Sequence, residues 1–376
     1  MKKIKLLFLI YDLKGGGAEK VLINLLKKID YTKFDITLLS IFGIGHNMSD
    51  IPQQVKFKTL FNISFRGFNT FMKLFSPKFL HKLIIKDYYD IEIAYLETSP
   101  TRIISGCTNP NTKKVAWVHI EIDNINEFLI AYRNRTEAIN SYKKFDKIIF
   151  VAKTAKKSFE LNLPELNYIP KDVIYNVNDI DYIRQKALEK IDIKLDSNKI
   201  NICSVGRICG QKGYDRLLKV VKMLHDENLS NKIMLYLIGE GAELNKLKQY
   251  VDDNKLNEYV SFLGYKTNPY KYVSRMSLFI CSSIKEGYST AVTESIILGV
   301  PVLTTLNSGM NEILNNGKYG LITPNDIISL YQGLKSIIQN PSLLDLYAQN
   351  ISQMPQLSTS DYVERYELFF DKLTSE

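Results

Sequence analysis

Short hydrophobic runs rich in β-branched residues alternate with helical patterns along nearly the whole sequence. In the first half the runs cover residues 4–10, 34–40, 90–96, 113–119 and 147–152, and in the second half 200–206, 233–239, 259–264, 278–283 and 301–305. Strands that alternate with helices in this way form parallel sheets covered by helices on both faces. The pattern therefore predicts an α/β protein made of two doubly wound units.

The chain is long enough for two such units, because a domain usually has about 100–200 residues and this sequence has 376. A last strand pattern of the first half covers residues 172–176, and the polar, charged stretch that follows it places the boundary near residue 178. We expect one domain over residues 1–177, a second over 178–355, and a C-terminal helix over 356–376 that crosses back to the first domain.

The composition matches that of ordinary soluble proteins, with 45% hydrophobic and 24% charged residues. No stretch reaches the ~18 apolar residues that span a bilayer, and Asp12 interrupts the short apolar run near the N-terminus, so we expect a cytoplasmic protein. The four cysteines form no CxxC pair, which favours core packing over disulfides or a zinc site.

Positive charge is concentrated in one segment. The net charge is +9, and residues 56–86 contain seven Lys or Arg, no Asp or Glu, and many Phe and Leu. This mixture is typical of a surface helix lying in an anionic lipid interface. Alternatively, the segment is a core helix whose lysines extend to solvent. No nucleic-acid-binding motif accompanies the charge, so nucleic acid is not expected as a partner.

Two candidate sites follow predicted strands of the first half, where the carboxyl ends of a parallel sheet bind ligands. Gly16 and Gly17 begin a helix within GGGAEK, where free N–H groups can bind an anion or hydroxyl, although a simple tight turn also explains the glycines. The motif is not GxGxxG, which argues against NAD. His119 can hydrogen-bond a sugar hydroxyl or a leaving phosphate, or serve the structure alone.

Two motifs of the second half carry charged side chains. In GRICGQKG, Arg207 and Lys212 place two positive charges on one turn, which suits a diphosphate; two solvated cations are the alternative. In KEGYSTAVTE, Glu286 stands in a loop and Glu294 in the following helix. One carboxylate can bind sugar hydroxyls and the other a ribose diol, with phosphate at the helix N-terminus. A solvated helix face is the alternative for these glutamates.

The motifs GGGAEK, GRICGQKG, IGEG and EGYSTAVTE, in this order and spacing, resemble the retaining glycosyltransferases of family 4. The resemblance covers nearly the whole chain and implies the GT-B fold, in which two Rossmann-like domains face a central cleft. It implies an acceptor-binding first domain and a second domain that binds a nucleotide sugar. Tyr288 stands where family members often have Phe, and Ile208 and Cys209 give GRICGQKG an unusual apolar middle.

The resemblance also implies roles for individual residues. The catalytic residues would be Glu286, His119, Arg207 and Lys212. The donor-binding residues would be Gly206, Arg207, Lys212, Gly239, Glu286, Gly287, Tyr288, Ser289, Thr290 and Glu294. The acceptor-binding residues would be Gly16, Gly17 and Glu19. No metal or other cofactor is expected, because family members usually need none and no DxD-type carboxylate pair stands beside the diphosphate site.

The implied reaction moves a hexose or N-acetylhexosamine from a nucleotide sugar, with UDP preferred, to a saccharide or polyprenyl-diphosphate-linked acceptor. The anomeric configuration would be retained through a short-lived oxocarbenium-like state. The Lys, Ile, Asn and Tyr content and the basic segment suggest capsule or other surface-polysaccharide synthesis on the inner face of the cell membrane. The alternative is a non-catalytic, glycosyltransferase-like subunit that positions a partner protein.

Overall fold

The computed structural model describes residues 2–14, 16–122, 125–355 and 358–375. The chain folds into two compact units. One is formed by residues 1–178 with 358–376, and the other by residues 179–357.

In the described part of the chain, the first unit contains a seven-stranded parallel sheet. Its strands are β1 (Ile4–Ile10), β2 (Phe34–Phe42), β3 (Lys56–Phe61), β4 (Ile91–Ala94), β5 (Lys113–Val118), β6 (Lys147–Phe150) and β7 (Lys171–Val173). They lie in the order β3-β2-β1-β4-β5-β6-β7, with every neighbouring pair parallel. The direction of strand addition reverses between β1 and β4, which is where open α/β sheets bind ligands.

Helices cover this sheet. They are α1 (Gly17–Lys28), α2 (Phe68–Met72), α3 (Pro77–Ile84), α4 (Ser99–Ile104), α5 (Ile125–Phe128), α6 (Arg135–Tyr142) and α7 (Lys153–Asn162). The central strand β1 is buried from Leu6 to Ile10, with each of these side chains at most 1% exposed. A parallel strand covered on both faces needs such a continuous apolar run, which explains why the sequence pattern identifies it.

The second unit contains a six-stranded parallel sheet among its described residues. Its strands are β8 (Ile200–Val205), β9 (Ile233–Ile238), β10 (Val260–Gly264), β11 (Leu278–Cys281), β12 (Val302–Thr305) and β13 (Gly320–Thr323). The order β10-β9-β8-β11-β12-β13 is that of a Rossmann fold, with the reversal between β8 and β11. Its helices are α8 (Ile180–Ala187), α9 (Tyr214–Asp226), α10 (Leu244–Asp253), α11 (Tyr270–Val273), α12 (Thr290–Ile297), α13 (Met310–Ile313), α14 (Ile327–Gln339) and α15 (Ser342–Ser352).

The last helix, α16 (Thr359–Ser375), belongs to the first unit. Tyr366 stacks on Trp117 with ring centroids 5.1 Å apart and an angle of 9° between the rings. Phe370 meets Phe8 edge to face at 6.0 Å. The core of the first unit is therefore completed by the C-terminal end of the chain.

The prediction of a surface helix over residues 56–86 is wrong for part of this segment. Residues 56–61 form the edge strand β3, which pairs with β2, and the short helices α2 and α3 follow. Gly67 has φ +84° at the start of α2, and the Ser76 hydroxyl caps α3 by accepting a hydrogen bond from the Phe79 N–H at 3.2 Å. These local signals divide the segment, because both favour the start of a new helix.

Among the described residues, no helix combines the length and the apolar character needed to cross a membrane.

Candidate functional site

Lys212 and Glu286 form an ion pair at the carboxyl edge of the second sheet. Lys212 lies on a 3₁₀ turn after β8, and Glu286 lies on the loop after the neighbouring strand β11. The Lys212 Nζ is 2.7 Å from Glu286 Oε1, which also accepts a hydrogen bond from the Ser283 hydroxyl at 2.6 Å. Glu286 is buried, at 9% exposure. The structure therefore brings together two of the predicted catalytic side chains.

The ion pair with Glu286 keeps the Lys212 side chain positively charged. Burial alone lowers the pKa of Lys212, but the carboxylate of Glu286 outweighs it and raises the pKa above the usual lysine range. The ammonium group is therefore charged at physiological pH. Arg207 lies on the same turn and is exposed, and its side chain forms no hydrogen bond or ion pair with the described residues. This turn therefore carries one cation that is held by an ion pair, Lys212, and one that is free to bind a ligand, Arg207.

Close backbone contacts hold the two loops together. Gly213 has φ +63°, and a Cβ at this position would lie 2.2 Å from the carbonyl oxygen of Ser282. The Ser282 hydroxyl donates to the Lys212 carbonyl at 3.0 Å, and the Ile284 N–H donates to the Gln211 carbonyl at 2.8 Å. The position of Lys212 relative to the Glu286 loop is fixed by this contact, which only glycine permits.

The predicted glycines of the donor site lie at the ends of neighbouring strands. A Cβ on Gly239, which has φ +147°, would lie 1.9 Å from the carbonyl oxygen of Gly206. The Gly206 N–H donates to the Ile238 carbonyl at 3.0 Å. These glycines let the turn after β9 approach the turn after β8, which carries Lys212.

The predicted residues of KEGYSTAVTE lead into α12. Gly287 and Tyr288 are half-buried and precede the helix. The Ser289 hydroxyl caps the helix by accepting from the Val292 N–H at 3.4 Å, and Thr290 is the first helical residue.

Glu294 lies inside α12 and is buried, at 7% exposure. It accepts a hydrogen bond from the Tyr270 hydroxyl at 3.4 Å. Because Glu286 and Glu294 are both buried, the alternative of a solvated helix face is wrong.

Sequence reasoning missed two residues that support this edge. The Asn307 side chain donates to the Ser283 carbonyl at 2.9 Å, and the Thr305 hydroxyl donates to the same oxygen at 2.8 Å. Thr305 is the last residue of β12, and Asn307 follows two positions later. Their position after a predicted strand is the sequence feature that could have identified them, since neither residue type suggests a role by itself.

In the first unit, His119 directly follows β5 and is buried, at 6% exposure. Its backbone N–H and that of Ile120 both donate to the carboxylate of Glu97, a residue that sequence reasoning missed. Burial lowers the pKa of His119 to about 3, so the imidazole is neutral. Its Nε2 has no hydrogen-bond partner in the described protein. A buried polar atom of this kind normally has a partner, which a ligand or water can supply.

The predicted acceptor residues lie at the start of α1. Gly16 precedes the helix, Gly17 begins it and Glu19 occupies its first turn, while Gly15 lies outside the described residues. The charge of Glu19 helps to raise the pKa of Tyr95, after the larger effect of burial. The Tyr95 ring lies 4.7 Å from that of His119. The helix start and His119 therefore share one region of the first unit.

A separate polar cluster lies toward the amino ends of the strands in the first unit. His81 Nε2 is 2.8 Å from Glu92 Oε2, and the ligand atoms of His81, Glu92 and Cys107 all lie within 4.8 Å of one another. This spacing is compatible with a metal ion. Burial opposes charge on His81, but hydrogen bonds to Cys107 and Glu92 outweigh it and raise the pKa to about 9. The protonated imidazole therefore neutralises the buried carboxylate.

The chain is similar to known proteins over one or both units. Residues 185–354 match the family described as glycosyl transferases group 1. The N-acetylgalactosamine-N,N'-diacetylbacillosaminyl-diphospho-undecaprenol 4-alpha-N-acetylgalactosaminyltransferase of Campylobacter jejuni is 29% identical over 364 residues, which are 91% of this chain and 92% of that protein. The UDP-Gal:alpha-D-GlcNAc-diphosphoundecaprenol alpha-1,3-galactosyltransferase of Escherichia coli is 25% identical over 286 residues, 72% of each chain.

Similarity to solved structures extends over both units. The crystal structure of Anabaena HepE in complex with UDP and glucose has a TM-score of 0.73 and 18% identity, and the match covers 98% of this chain and 99% of that one. The matched family region contains both the Lys212–Glu286 pair and α12. The resemblance to glycosyltransferases that the sequence motifs predicted is therefore confirmed over residues 185–354, which match the group 1 family, and the chain has the GT-B fold.

Proposed function

We propose that the enzyme transfers a hexose or N-acetylhexosamine from a UDP-sugar to a saccharide on a polyprenyl diphosphate, with retention of configuration, in surface-polysaccharide synthesis. The observation that carries this proposal is the Lys212–Glu286 pair beside the unpartnered Arg207 at the carboxyl edge of a Rossmann-ordered sheet. A cationic turn next to a buried carboxylate suits a ligand that has both phosphates and hydroxyls.

The donor binds the second unit in this proposal. Arg207 and Lys212 hold the diphosphate and stabilise the negative charge that develops on it as the glycosidic bond breaks. Glu286 accepts hydrogen bonds from the sugar hydroxyls, and Glu294 accepts from the ribose diol. Backbone N–H groups of residues 287–290, at the start of α12, face the phosphate or the sugar.

The acceptor binds the first unit, near Gly16, Gly17 and Glu19. His119 is neutral and offers its Nε2 to a hydroxyl of the transferred sugar. The bond between the anomeric carbon and the diphosphate oxygen breaks, and a bond from that carbon to the acceptor oxygen forms on the same face. The acceptor proton passes to a phosphate oxygen of the leaving group, so no protein carboxylate is needed as the base.

The names of the relatives support the substrate classes. The Campylobacter jejuni and Escherichia coli enzymes are both named for diphospho-undecaprenol acceptors and for alpha products, and the latter is named for UDP-Gal. The Anabaena structure contains UDP. UDP-hexoses carry an α-anomeric bond, so an α-linked product corresponds to retention.

The experiment that tests the proposal is calorimetric titration of the protein with UDP, GDP and their hexose conjugates, repeated on Lys212→Ala. We expect UDP and one UDP-sugar to bind the wild type and to bind the variant at least tenfold more weakly. Product from the accepted donor is then examined by NMR, where an α-anomer is expected. A β-anomer would overturn retention. Absence of binding by every nucleotide would favour the alternative, a non-catalytic subunit that positions a partner.

We propose that the reaction needs no metal, because Arg207 and Lys212 supply the positive charge at the diphosphate. Turnover with the accepted donor should be unchanged after treatment with EDTA and gel filtration. Loss of turnover that Mg²⁺ or Mn²⁺ restores would refute this.

We further propose that the segment 56–86 contacts an anionic membrane. Large apolar side chains are exposed along it: Phe61, Ile63, Phe65, Phe71, Leu74, Phe79 and Leu83. Lys56 and Lys58 pair with Asp35 and Asp87, whereas the Lys and Arg side chains from Arg66 to Lys86 form no ion pair with the described residues. Exposed apolar groups among unpaired cations suit an interface with anionic lipid.

Co-sedimentation with phosphatidylglycerol vesicles tests this contact. The double variant Leu74→Ser and Leu83→Ser should bind the vesicles at least fivefold more weakly than the wild type. The matched control, Leu161→Ser and Leu188→Ser, changes two other highly exposed leucines that lie outside this segment, and it should bind like the wild type. Equal vesicle binding by all three proteins would exclude the segment as the membrane contact.

A further inference from the structure

A cavity of about 550 Å³ lies in the first unit beside α2. Its walls are Tyr11, which directly follows β1, and residues from the segments 65–73 and 126–134. The cavity therefore lies at the carboxyl edge of the sheet, close to the reversal of strand order. Its volume falls within the range of about 300–1,000 Å³ that is common for small-molecule sites. None of the residues predicted as acceptor-binding lines it.

The described walls of this cavity carry positive charge only. Arg66, Lys73 and Arg133 line it, and no Asp or Glu does. The Arg133 side chain is anchored, because it donates to the backbone carbonyls of Lys73 at 2.5 Å and Leu74 at 3.2 Å. The side chains of Arg66 and Lys73 form no hydrogen bond or ion pair with the described residues. Glu137 accepts a hydrogen bond from the Arg133 backbone N–H at 2.7 Å but does not line the cavity. A lining with three cations and no carboxylate favours the binding of an anion.

Apolar side chains adjoin these cations. Phe65 and Ile130 line the cavity and are 42% and 50% exposed. Phe71 and Leu74, from the same wall segment or next to it, are 47% and 72% exposed. A ligand that suits the whole surface therefore has an anionic group joined to a hydrocarbon.

We propose that this cavity binds the diphosphate group of the lipid-linked acceptor through Arg66, Lys73 and Arg133. The first isoprenoid units then lie on Phe65, Phe71, Leu74 and Ile130. This inference rests on the proposed function, because it takes the acceptor to be a lipid diphosphate. It explains why unpaired cations and exposed aromatic rings occur together at the carboxyl edge of the acceptor-binding unit. An anionic phospholipid headgroup has similar chemistry, and the test separates the two sources.

Calorimetric titration of the full chain with farnesyl diphosphate tests the proposal. The double variant Arg66→Gln and Lys73→Gln should bind this probe at least tenfold more weakly than the wild type. The matched control, Lys78→Gln and Lys82→Gln, removes two exposed cations of the same segment that do not line the cavity, and it should bind normally. Farnesol, which lacks the diphosphate, should not distinguish the two double variants.

Further measurements distinguish binding of farnesyl diphosphate in the cavity from binding at the donor site and from general attraction to surface charge. Lys212→Ala should leave farnesyl diphosphate binding unchanged while it weakens UDP binding, so failure of the donor proposal would be seen independently. Phosphatidylglycerol vesicles should bind both double variants to a similar extent, since both lose two surface charges. In turnover assays, Arg66→Gln with Lys73→Gln should raise the KM for a diphosphate-linked acceptor at least tenfold and leave the donor KM unchanged.

The proposal is overturned if the wild type does not bind farnesyl diphosphate, or if the cavity variant binds it as well as the wild type does. It is also overturned if only Lys212→Ala loses binding, because the probe then occupies the donor site. Selective loss of vesicle binding by the cavity variant, with normal farnesyl diphosphate binding, would assign the cations to phospholipid headgroups instead.

Discussion

At the scale of single residues, the Lys212–Glu286 pair links the stability of the second unit to its proposed chemistry. Glu286 is buried, and Lys212 Nζ at 2.7 Å is the cation beside it. A buried carboxylate without a counter-charge is unfavourable. The two side chains therefore satisfy each other. A bound diphosphate and sugar would give each of them a second partner.

Lys212→Ala should reduce both turnover and stability. We expect kcat to fall by roughly 10²–10³, as when one group that stabilises developing charge is removed. The free energy of unfolding should fall by about 1–3 kcal/mol, because Glu286 stays buried without its cation. Steady-state kinetics and urea unfolding measure the two effects. The control Lys219→Ala removes an exposed lysine 3.5 Å from Asp215 and should change stability by less than about 1 kcal/mol.

Wild-type turnover by Lys212→Ala would show that the diphosphate binds elsewhere. Loss of turnover with unchanged stability would show instead that Glu286 finds another partner once Lys212 is removed.

At the scale of elements, the contact between the turn after β8 and the loop after β11 positions this pair. Gly213→Ala should destabilise the protein by roughly 1–3 kcal/mol, because the new Cβ meets the Ser282 carbonyl oxygen at 2.2 Å and φ is +63°. Turnover should fall as well, since the clash moves Lys212 away from Glu286. Urea unfolding and kinetics measure both effects.

The same turn contains a matched control. Gly210→Ala places a Cβ whose nearest neighbour is the Glu243 carboxylate at 3.5 Å, and Gly210 has no positive φ. This variant should keep wild-type stability and turnover. Equal behaviour of the two alanine variants would mean that the turn adjusts freely and does not position Lys212.

The strands show what a sequence pattern reveals about this fold. Each of the eleven predicted runs overlaps a strand, including 172–176, which overlaps β7, because strands buried on both faces are apolar runs. The edge strands β3 and β13 were missed. β3 alternates exposed lysines with partly buried residues. A mixture of basic and apolar residues is also typical of a basic amphipathic helix, so the strand falls within the predicted surface helix. β13 has only Leu321 and Ile322 as apolar residues, between Gly320 and Thr323, so no continuous apolar run marks it.

The candidate site shows which of its features a sequence pattern does not reveal. Residue type and motif spacing identified Arg207, Lys212, Glu286 and Glu294 as candidates, and the structure places Lys212 against Glu286. The contact of Gly213 with Ser282 joins residues far apart in sequence, and Glu97 reaches His119 from the turn after the neighbouring strand β4. Such contacts depend on which strands are neighbours and on their register, and neither follows from local patterns. The cavity near Arg66 has no motif at all.

At the scale of the whole molecule, two histidines give the first unit opposite responses to pH. Hydrogen bonds to Cys107 and Glu92 outweigh burial and raise the pKa of His81 to about 9, whereas burial lowers the pKa of His119 to about 3. The native state therefore holds a proton on His81 and excludes one from His119. An unfolded histidine titrates near pH 6.5.

The signs follow from linkage. Stabilisation by His81 is complete below about pH 6.5 and is lost as the pH rises through about 9. Stabilisation by neutral His119 is complete above about pH 6.5 and is lost as the pH falls toward about 3. Each group changes the free energy of unfolding by at most about 1.4 kcal/mol per pH unit within its range.

Urea unfolding from pH 4 to 9, followed by tryptophan fluorescence, should resolve two limbs in the plot of unfolding free energy against pH. These are a fall toward acid pH from His119 and a fall toward alkaline pH from His81. Trp117 is the single tryptophan of the chain and is buried in the first unit, so the signal reports on that unit. His81→Gln should flatten the alkaline limb and leave the acid limb, and His119→Gln should do the reverse. His225→Gln, in the second unit, should change neither. All three variants could instead keep the wild-type slope of the free energy of unfolding against pH. Carboxylates and lysines would then set the pH response, and His81 would not carry the proton that balances the charge of Glu92.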